Sequence, residues 1–254
     1  MYAASFEYHA PASVADAVKL LSQYGDDGKI ITGGMSLIPL MKFRLAQPKH
    51  LIDLRKIADL KGVKEAGGKI VIGARTTHGE LETNATLKAK CPVIAQVAAH
   101  IGDQQVRNRG TIGGSLMHAD PSADLPAAMV ALDAEFTLQG KASRTVKAAD
   151  FFKDALETSA KSDEILVSIS VPTTGATTCY MKLAQQASGF ALVGVAAVLE
   201  MSGNTCKSAR IGVTGVTGKA FRAASVEKAI AGKALDAKSI QAAAAEVAKD
   251  IKNP

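Results

Sequence analysis

Tryptophan is absent from this 254-residue chain, and aromatic residues make up only 4% of it. Its core is therefore expected to rest on Leu, Ile, Val and Ala, and no aromatic stacking motif of the RNA-binding kind is present. Cysteine is nearly as scarce. Cys91, Cys179 and Cys206 are odd in number, far apart and outside any C-x-x-C pair, which excludes a readable disulfide framework, zinc site or iron–sulfur site. Such sparse cysteine fits a reducing compartment. No apolar run approaches the ~20 residues that span a bilayer. The opening "MYAASFEYHAPAS" lacks the basic region and apolar stretch of a signal peptide, so a cytoplasmic protein is expected. Long runs of like charge are also missing. The net charge of +6 comes from 30 basic residues interspersed with 24 acidic ones, which reads as a solvated surface rather than a nucleic-acid footprint.

What the sequence does have is glycine in pairs. "IITGGMSLIPL" (30–40) and "RNRGTIGGSLMHADPSADLP" (107–126) each place Gly-Gly after a short apolar stretch and before an expected helix. Glycine lets backbone amides approach a phosphate without a Cβ in the way, and a helix start adds unpaired N–H groups. Neither stretch is a G-x-G-x-x-G fingerprint or a G-x-x-x-x-G-K-[ST] loop, so nicotinamide-binding and ATP-cleaving readings lose their main support. A lone Gly-Gly pair serves equally well as a turn. The second pair is followed by His118, Asp120 and Asp124, a polar group that a plain turn does not need. Asp120 before Pro121 reads as turn chemistry. Asp124 is suited to capping the next helix as well as to touching a ligand. Arg107 and Arg109 are open between a phosphate and a solvent or subunit face.

Periodicity organises the rest. A helix is expected over "PASVADAVKLLSQYGD", with Ser13 as N-cap and Gly25 as stop. "KIIT", a helical turn opened by Ser36, and "HLIDL" suggest a small parallel α/β unit. Hairpins are expected over 62–74 and 134–148, helices around 77–83 and 92–101 and across "DLPAAMVALD", and a strand over 164–172. "TTGATT" (173–178) is the best linker. Beyond it lie three strands, with a Gly203-Asn204 turn between the last two, and helices near 222–231 and 236–251.

"TGGMSLIPLMKFRLAQPKHLIDL" and "QVRNRGTIGGSLMHADPSADLPAAMVALDA" resemble the two flavin-binding signatures of the FAD (medium) subunits of molybdenum hydroxylases. The likeness is strongest to the medium subunits of carbon monoxide dehydrogenase-type enzymes and weaker to xanthine dehydrogenase flavin domains. "SDEILVSISVP" and "YMKLAQQASGFALVGVAAVLE" extend it over essentially the whole chain. The resemblance implies an α+β protein. A two-lobed FAD-binding domain of the vanillyl-alcohol-oxidase/PCMH type is expected over 1–172, with lobes of about 1–55 and 56–172. A smaller domain over 177–254 is expected to hold a three-stranded antiparallel sheet and helices. It implies pyrophosphate contacts from the backbone of Gly33, Gly34, Met35 and Ser36, continued by Leu37 and Ile38, and faced by Thr111, Gly113, Gly114 and Ser115. Ile101 and Gly102 would lie close to the FAD, His118 and Asp124 would touch its polar groups, and Lys182 would approach from the C-terminal domain.

No catalytic acid–base pair or nucleophile is evident in the chain itself. The implied role is electron transfer through non-covalent FAD, with molybdopterin and 2Fe–2S clusters on partner subunits. Those partners would be an iron–sulfur small subunit and a molybdopterin large subunit, arranged as a dimer of heterotrimers. Neither nucleic acid nor a membrane span is expected. The rival readings are a self-contained FAD-dependent oxidoreductase of the same fold and a nucleotide-binding or scaffold module without redox work. Two departures stand out. "QQASGF" (185–190) replaces a charged, Asp-containing stretch, and relatives commonly run on past "DIKNP" with a further helical segment.

Overall fold

The computed structural model describes residues 2–252. The first lobe is a parallel sheet in which β1 (Glu7–His9) and β2 (Gly28–Ile31) flank β3 (His50–Asp53). Helix α1 (Val14–Tyr24) covers it with Ala17, Val18 and Leu21, all buried. Ser13 caps this helix by accepting the Asp16 N–H at 3.1 Å, and Gly25, at φ 53°, ends it. Helix α2 (Leu37–Lys42) follows the first glycine pair. The expected cap is absent there: Ser36 has helical backbone angles and its side chain accepts no amide.

The second lobe begins with the hairpin β4 (Val63–Ala66) and β5 (Lys69–Gly73). Six short helices follow: α3 (His78–Thr83), α4 (Ala85–Lys90), α5 (Pro92–Ala99), α6 (Gln104–Arg109), α7 (Ile112–His118) and α8 (Leu125–Ala131). The sequence reading missed α4 and α6. Each is only six residues long, and each is started by a side chain, Asn84 or Asp103, that accepts an amide three residues on. Next come β6 (Glu135–Gln139), β7 (Ser143–Lys147), α9 (Ala148–Phe151), the small hairpin β8 (Phe152–Asp154) and β9 (Glu157–Thr158), and β10 (Ile165–Pro172). Strand β10 is antiparallel to both β5 and β6, so the last strand of this lobe is the middle one of its five-stranded sheet. Phe136, Phe151 and Phe152 pack edge to face beside it.

After residues 173–176 the chain forms β11 (Thr177–Ala184), β12 (Ala191–Ser202), β13 (Thr205–Thr214) and β14 (Phe221–Arg222), followed by α10 (Ala224–Ile230) and α11 (Ala237–Ala245). The C-terminal sheet thus has four antiparallel strands, not the three expected. The two-residue β14, paired to Gly212 and Val213, is too short to leave a periodic signal. Helix α8 lies hard against this sheet: a Cβ on Gly212 would sit 2.0 Å from the Ala127 carbonyl oxygen. One apolar core accordingly runs through both parts, joining Ile70, Leu125 and Phe136 to Tyr180, Ala196 and Val198.

Candidate functional site

The two glycine pairs meet. The Thr32 and Thr111 hydroxyls are 2.9 Å apart, and a Cβ on Gly33 would lie 2.1 Å from the Arg109 carbonyl oxygen, so only glycine allows the two backbones this close. Gly34 follows at φ 78°, a region L side chains rarely enter. The two sides of the junction differ chemically. Among the described residues, the N–H groups of Gly33, Gly34, Met35 and Ser36 donate to no protein acceptor. Met35, Ser36 and Ile38 are exposed, and Leu37 is half-buried. Four consecutive free amides beside a bare backbone form a cradle for an anion.

On the other side the glycines are not in a loop at all. Gly113 and Gly114 form the first turn of α7, capped by Thr111. Its first amides are already taken: Ile112 donates to the Thr76 carbonyl, Gly113 to that of Ala74 at 2.8 Å, Gly114 to the Thr111 hydroxyl at 3.1 Å and Ser115 to the Thr111 carbonyl. This side therefore presents hydroxyls and the exposed Cα of Gly114 rather than free N–H groups. Gly113 has a packing reason, since its Cβ would meet Ala74 at 2.6 Å.

A cavity of about 110 Å³ opens beside the junction, lined by Thr32, Gly33 and Thr111 together with Arg55, Lys61, Arg75 and Arg109. Three of these cations, in the segment after β3 and just past β5, carried no signal in the sequence. Arg55 is bound to buried Asp53 at 2.6 Å and Lys61 to Glu80 at 2.6 Å, while Arg75 donates to the Arg55 carbonyl. Arg109 has no ion pair among the described residues. The larger neighbouring cleft, about 520 Å³, contains Glu80 and Glu82 and is less suited to a polyanion. Arg107 is spoken for, bonded to Glu82 and to the carbonyls of Ile101 and Gly102.

Asp124 and Lys182 come together, though not as an open charge. Lys182 Nζ lies 2.9 Å from the Asp124 carboxylate and 3.0 Å from the His100 carbonyl, and both side chains are almost wholly buried. The Tyr180 hydroxyl donates to the other carboxylate oxygen. Burial pushes the Asp124 carboxyl up, opposed by the hydrogen bonds from Tyr180 and Lys182. Asp124 does not cap α8; its backbone is helical and its side chain is committed to this network. The network ties β11 to the turn that carries Ile101 and Gly102. His118, half-buried, ends α7. Asp120 makes the expected turn, accepting the Ser122 N–H at 2.9 Å.

The family described as FAD binding domain in molybdopterin dehydrogenase matches residues 4–174, and that of the CO dehydrogenase flavoprotein C-terminal domain matches residues 178–254. The chain belongs to the FAD subunits of the molybdenum hydroxylases. It is 44% identical to the carbon monoxide dehydrogenase medium chain of Hydrogenophaga pseudoflava, over 85% of this chain and 77% of that one. It is 37% identical to the glyceraldehyde dehydrogenase medium chain of Sulfolobus acidocaldarius, over 90% and 82% of the two chains. Its fold superimposes on a solved structure of the Hydrogenophaga pseudoflava carbon monoxide dehydrogenase with a TM-score of 0.96, at 43% identity, covering all of this chain and 90% of the other. Among the described residues, no helix is long and apolar enough to cross a membrane.

Proposed function

We propose that this chain carries a non-covalent FAD whose pyrophosphate lies on the free amides of Gly33, Gly34, Met35 and Ser36. Those four unbonded N–H groups are the observation that carries the reading. Leu37 and Ile38 continue the contact, and Thr111, Gly113, Gly114 and Ser115 close it from α7 with hydroxyls and a bare Cα. Ile101 and Gly102 border the flavin. His118, Asp124 and Lys182 complete the set. Because Lys182 is paired with Asp124 and holds the His100 carbonyl, these two act by fixing the turn beside the flavin. Cys91 and Cys206 are buried, and burial pushes the Cys91 thiol up to about 12 and raises that of Cys206, so neither is an activated nucleophile for a covalent flavin link.

Bound FAD supplies the relay from a partner's iron–sulfur centres to an external acceptor, since a flavin takes up electrons singly or in pairs. The partners are an iron–sulfur small subunit and a molybdopterin large subunit, assembled as a dimer of heterotrimers in the cytoplasm. The chain divides into a domain of residues 1–172 and a domain of residues 177–254. Purification from the native host, with metal analysis and identification of the associated chains, tests this. Two further subunits carrying molybdenum and iron should accompany this one. A metal-free single chain that turns over purines, aldehydes, N-heterocycles or carbon monoxide at a robust rate would overturn it.

A further inference from the structure

Three side chains with metal-ligating atoms converge at the edge of the first lobe's sheet, on the face that α1 covers. Glu7 and His9 are two residues apart on β1, so both point to the same face of the sheet. His50 opens β3 directly opposite Glu7 in the parallel register. The ring nitrogens His9 Nε2 and His50 Nδ1 are 3.2 Å apart, and Glu7 Oε2 is 3.4 Å from the latter and 4.0 Å from the former. A tetrahedral zinc ion with bonds of about 2.0–2.1 Å holds its ligand atoms about 3.3–3.4 Å apart. Two of the three separations already match that spacing. The longest involves Glu7, whose side chain is 73% exposed and free to swing. A proton shared between the histidines satisfies only one contact, and it leaves a lone pair of one imidazole or the carboxylate unmatched. A divalent cation satisfies all three.

The rings are held in place. Tyr24, at the end of α1, stacks on His50 with centroids 3.6 Å apart and planes within 8°, and on His9 at 5.0 Å. We propose that Glu7, His9 and His50 form a binding site for a zinc-class divalent metal that cross-links β1 to β3. The two imidazoles select a d-block ion over magnesium or calcium. The site is remote from the glycine junction. His50 pairs with Gly28 at the start of β2, whereas the free amides follow Ile31 at its other end. The ion would therefore staple a three-residue edge strand and take no part in electron transfer.

The test uses tag-free, FAD-loaded protein stripped with chelator and titrated with Zn²⁺ against a chromogenic chelator. One equivalent should bind. His9→Ala and His50→Ala should each weaken binding more than about tenfold, since loss of even an outer-shell partner costs 10–100-fold. Glu7→Gln should weaken it less. Flavin content should stay unchanged, reporting an intact fold; if His50→Ala loses flavin, His9→Ala decides. Co²⁺ should give d–d absorption at wavelengths beyond the flavin bands. Less than one equivalent bound by wild type, or undiminished binding in His9→Ala, overturns the proposal.

Discussion

Thr32 and Thr111 stand 79 residues apart in the chain, and their hydroxyls meet at 2.9 Å where the two glycine pairs touch. One belongs to the segment of free amides and the other caps the helix whose amides are all engaged. Thr111 therefore does two jobs, and the two threonines should separate them. Thr32→Val should cost about 0.5–1.5 kcal/mol, the worth of one hydrogen bond. Thr111→Val should cost about 1–2 kcal/mol more, because the cap of α7 is lost as well. Denaturant titration of both variants and the double variant should show that the two changes are not additive. Additive costs would mean the hydroxyl pair contributes nothing.

Gly33→Ala places a methyl where the Arg109 carbonyl stands, so the two sides of the cradle must part. Loss of two charge-assisted bonds at about 1.5–3 kcal/mol each lowers FAD affinity by about two to four orders of magnitude. Gly67→Ala is the control, since Gly67 has φ 57° in an open hairpin turn with nothing near its Cβ position. It should cost about 1 kcal/mol of stability and leave FAD affinity unchanged. Titrating each folded apoprotein with FAD distinguishes a ligand cradle from a mere turn.

Lys182→Met strands the Asp124 carboxylate in the core, with Tyr180 as its remaining side-chain partner. Breaking a buried pair in this way costs about 3–5 kcal/mol. Adding Asp124→Asn should restore much of that loss. Thermal unfolding of the single and double variants measures the rescue, and a double variant as unstable as the single would refute a charge effect.

His78 gives the fold a dependence on acid. Burial first, and then the charge of Arg107, lower its pKa from 6.5 to about 4, and Nδ1 has no hydrogen-bond partner among the described residues. The unfolded chain therefore binds a proton that the folded one refuses. Stability is complete above pH 6.5 and falls as the pH drops towards 4, by about 3 kcal/mol at about 1.4 kcal/mol per unit. Asp124, with its carboxyl raised, works in the opposite sense, so the comparison must isolate His78. Urea midpoints for wild type and His78→Gln between pH 4 and 7 do so. Asp53, Glu80 and Glu164, whose carboxyls are held below their ordinary values, add their own loss at the acid end, so the variant should still decline, but by about 3 kcal/mol less than wild type across this window.

The flavin should be released completely by acid precipitation. Yellow colour held in the washed pellet at one equivalent per chain would show a covalent link.

Alternation along strands made most of the sheet elements legible, as in 62–74, 134–148 and 164–172. Their spatial order was not, because nothing local to "EILVSISVP" says that it inserts between β5 and β6. The second glycine pair read as a loop since glycine is a poor helix former. Packing overrode that preference: Gly113 is where α7 meets Ala74. The first pair was legible in position, although the freedom of its amides became visible only with the hydrogen bonds in place. Arg55, Lys61 and Arg75 converge from separate segments and had no pattern to betray them. Asp124 and Lys182 were each singled out, yet 58 residues hid their pairing.

The central place of β10 governs how this chain can be made. On the ribosome, β5 and β6 emerge long before their shared neighbour, and each exposes an unpaired edge until residues 165–172 leave the exit tunnel. A nascent chain halted before that point has two hairpins with no strand to join them, the condition in which sheet edges recruit other chains. Truncations ending near residue 160 should accumulate in inclusion bodies or bound to chaperones, whereas chains released after Pro172 can close the sheet.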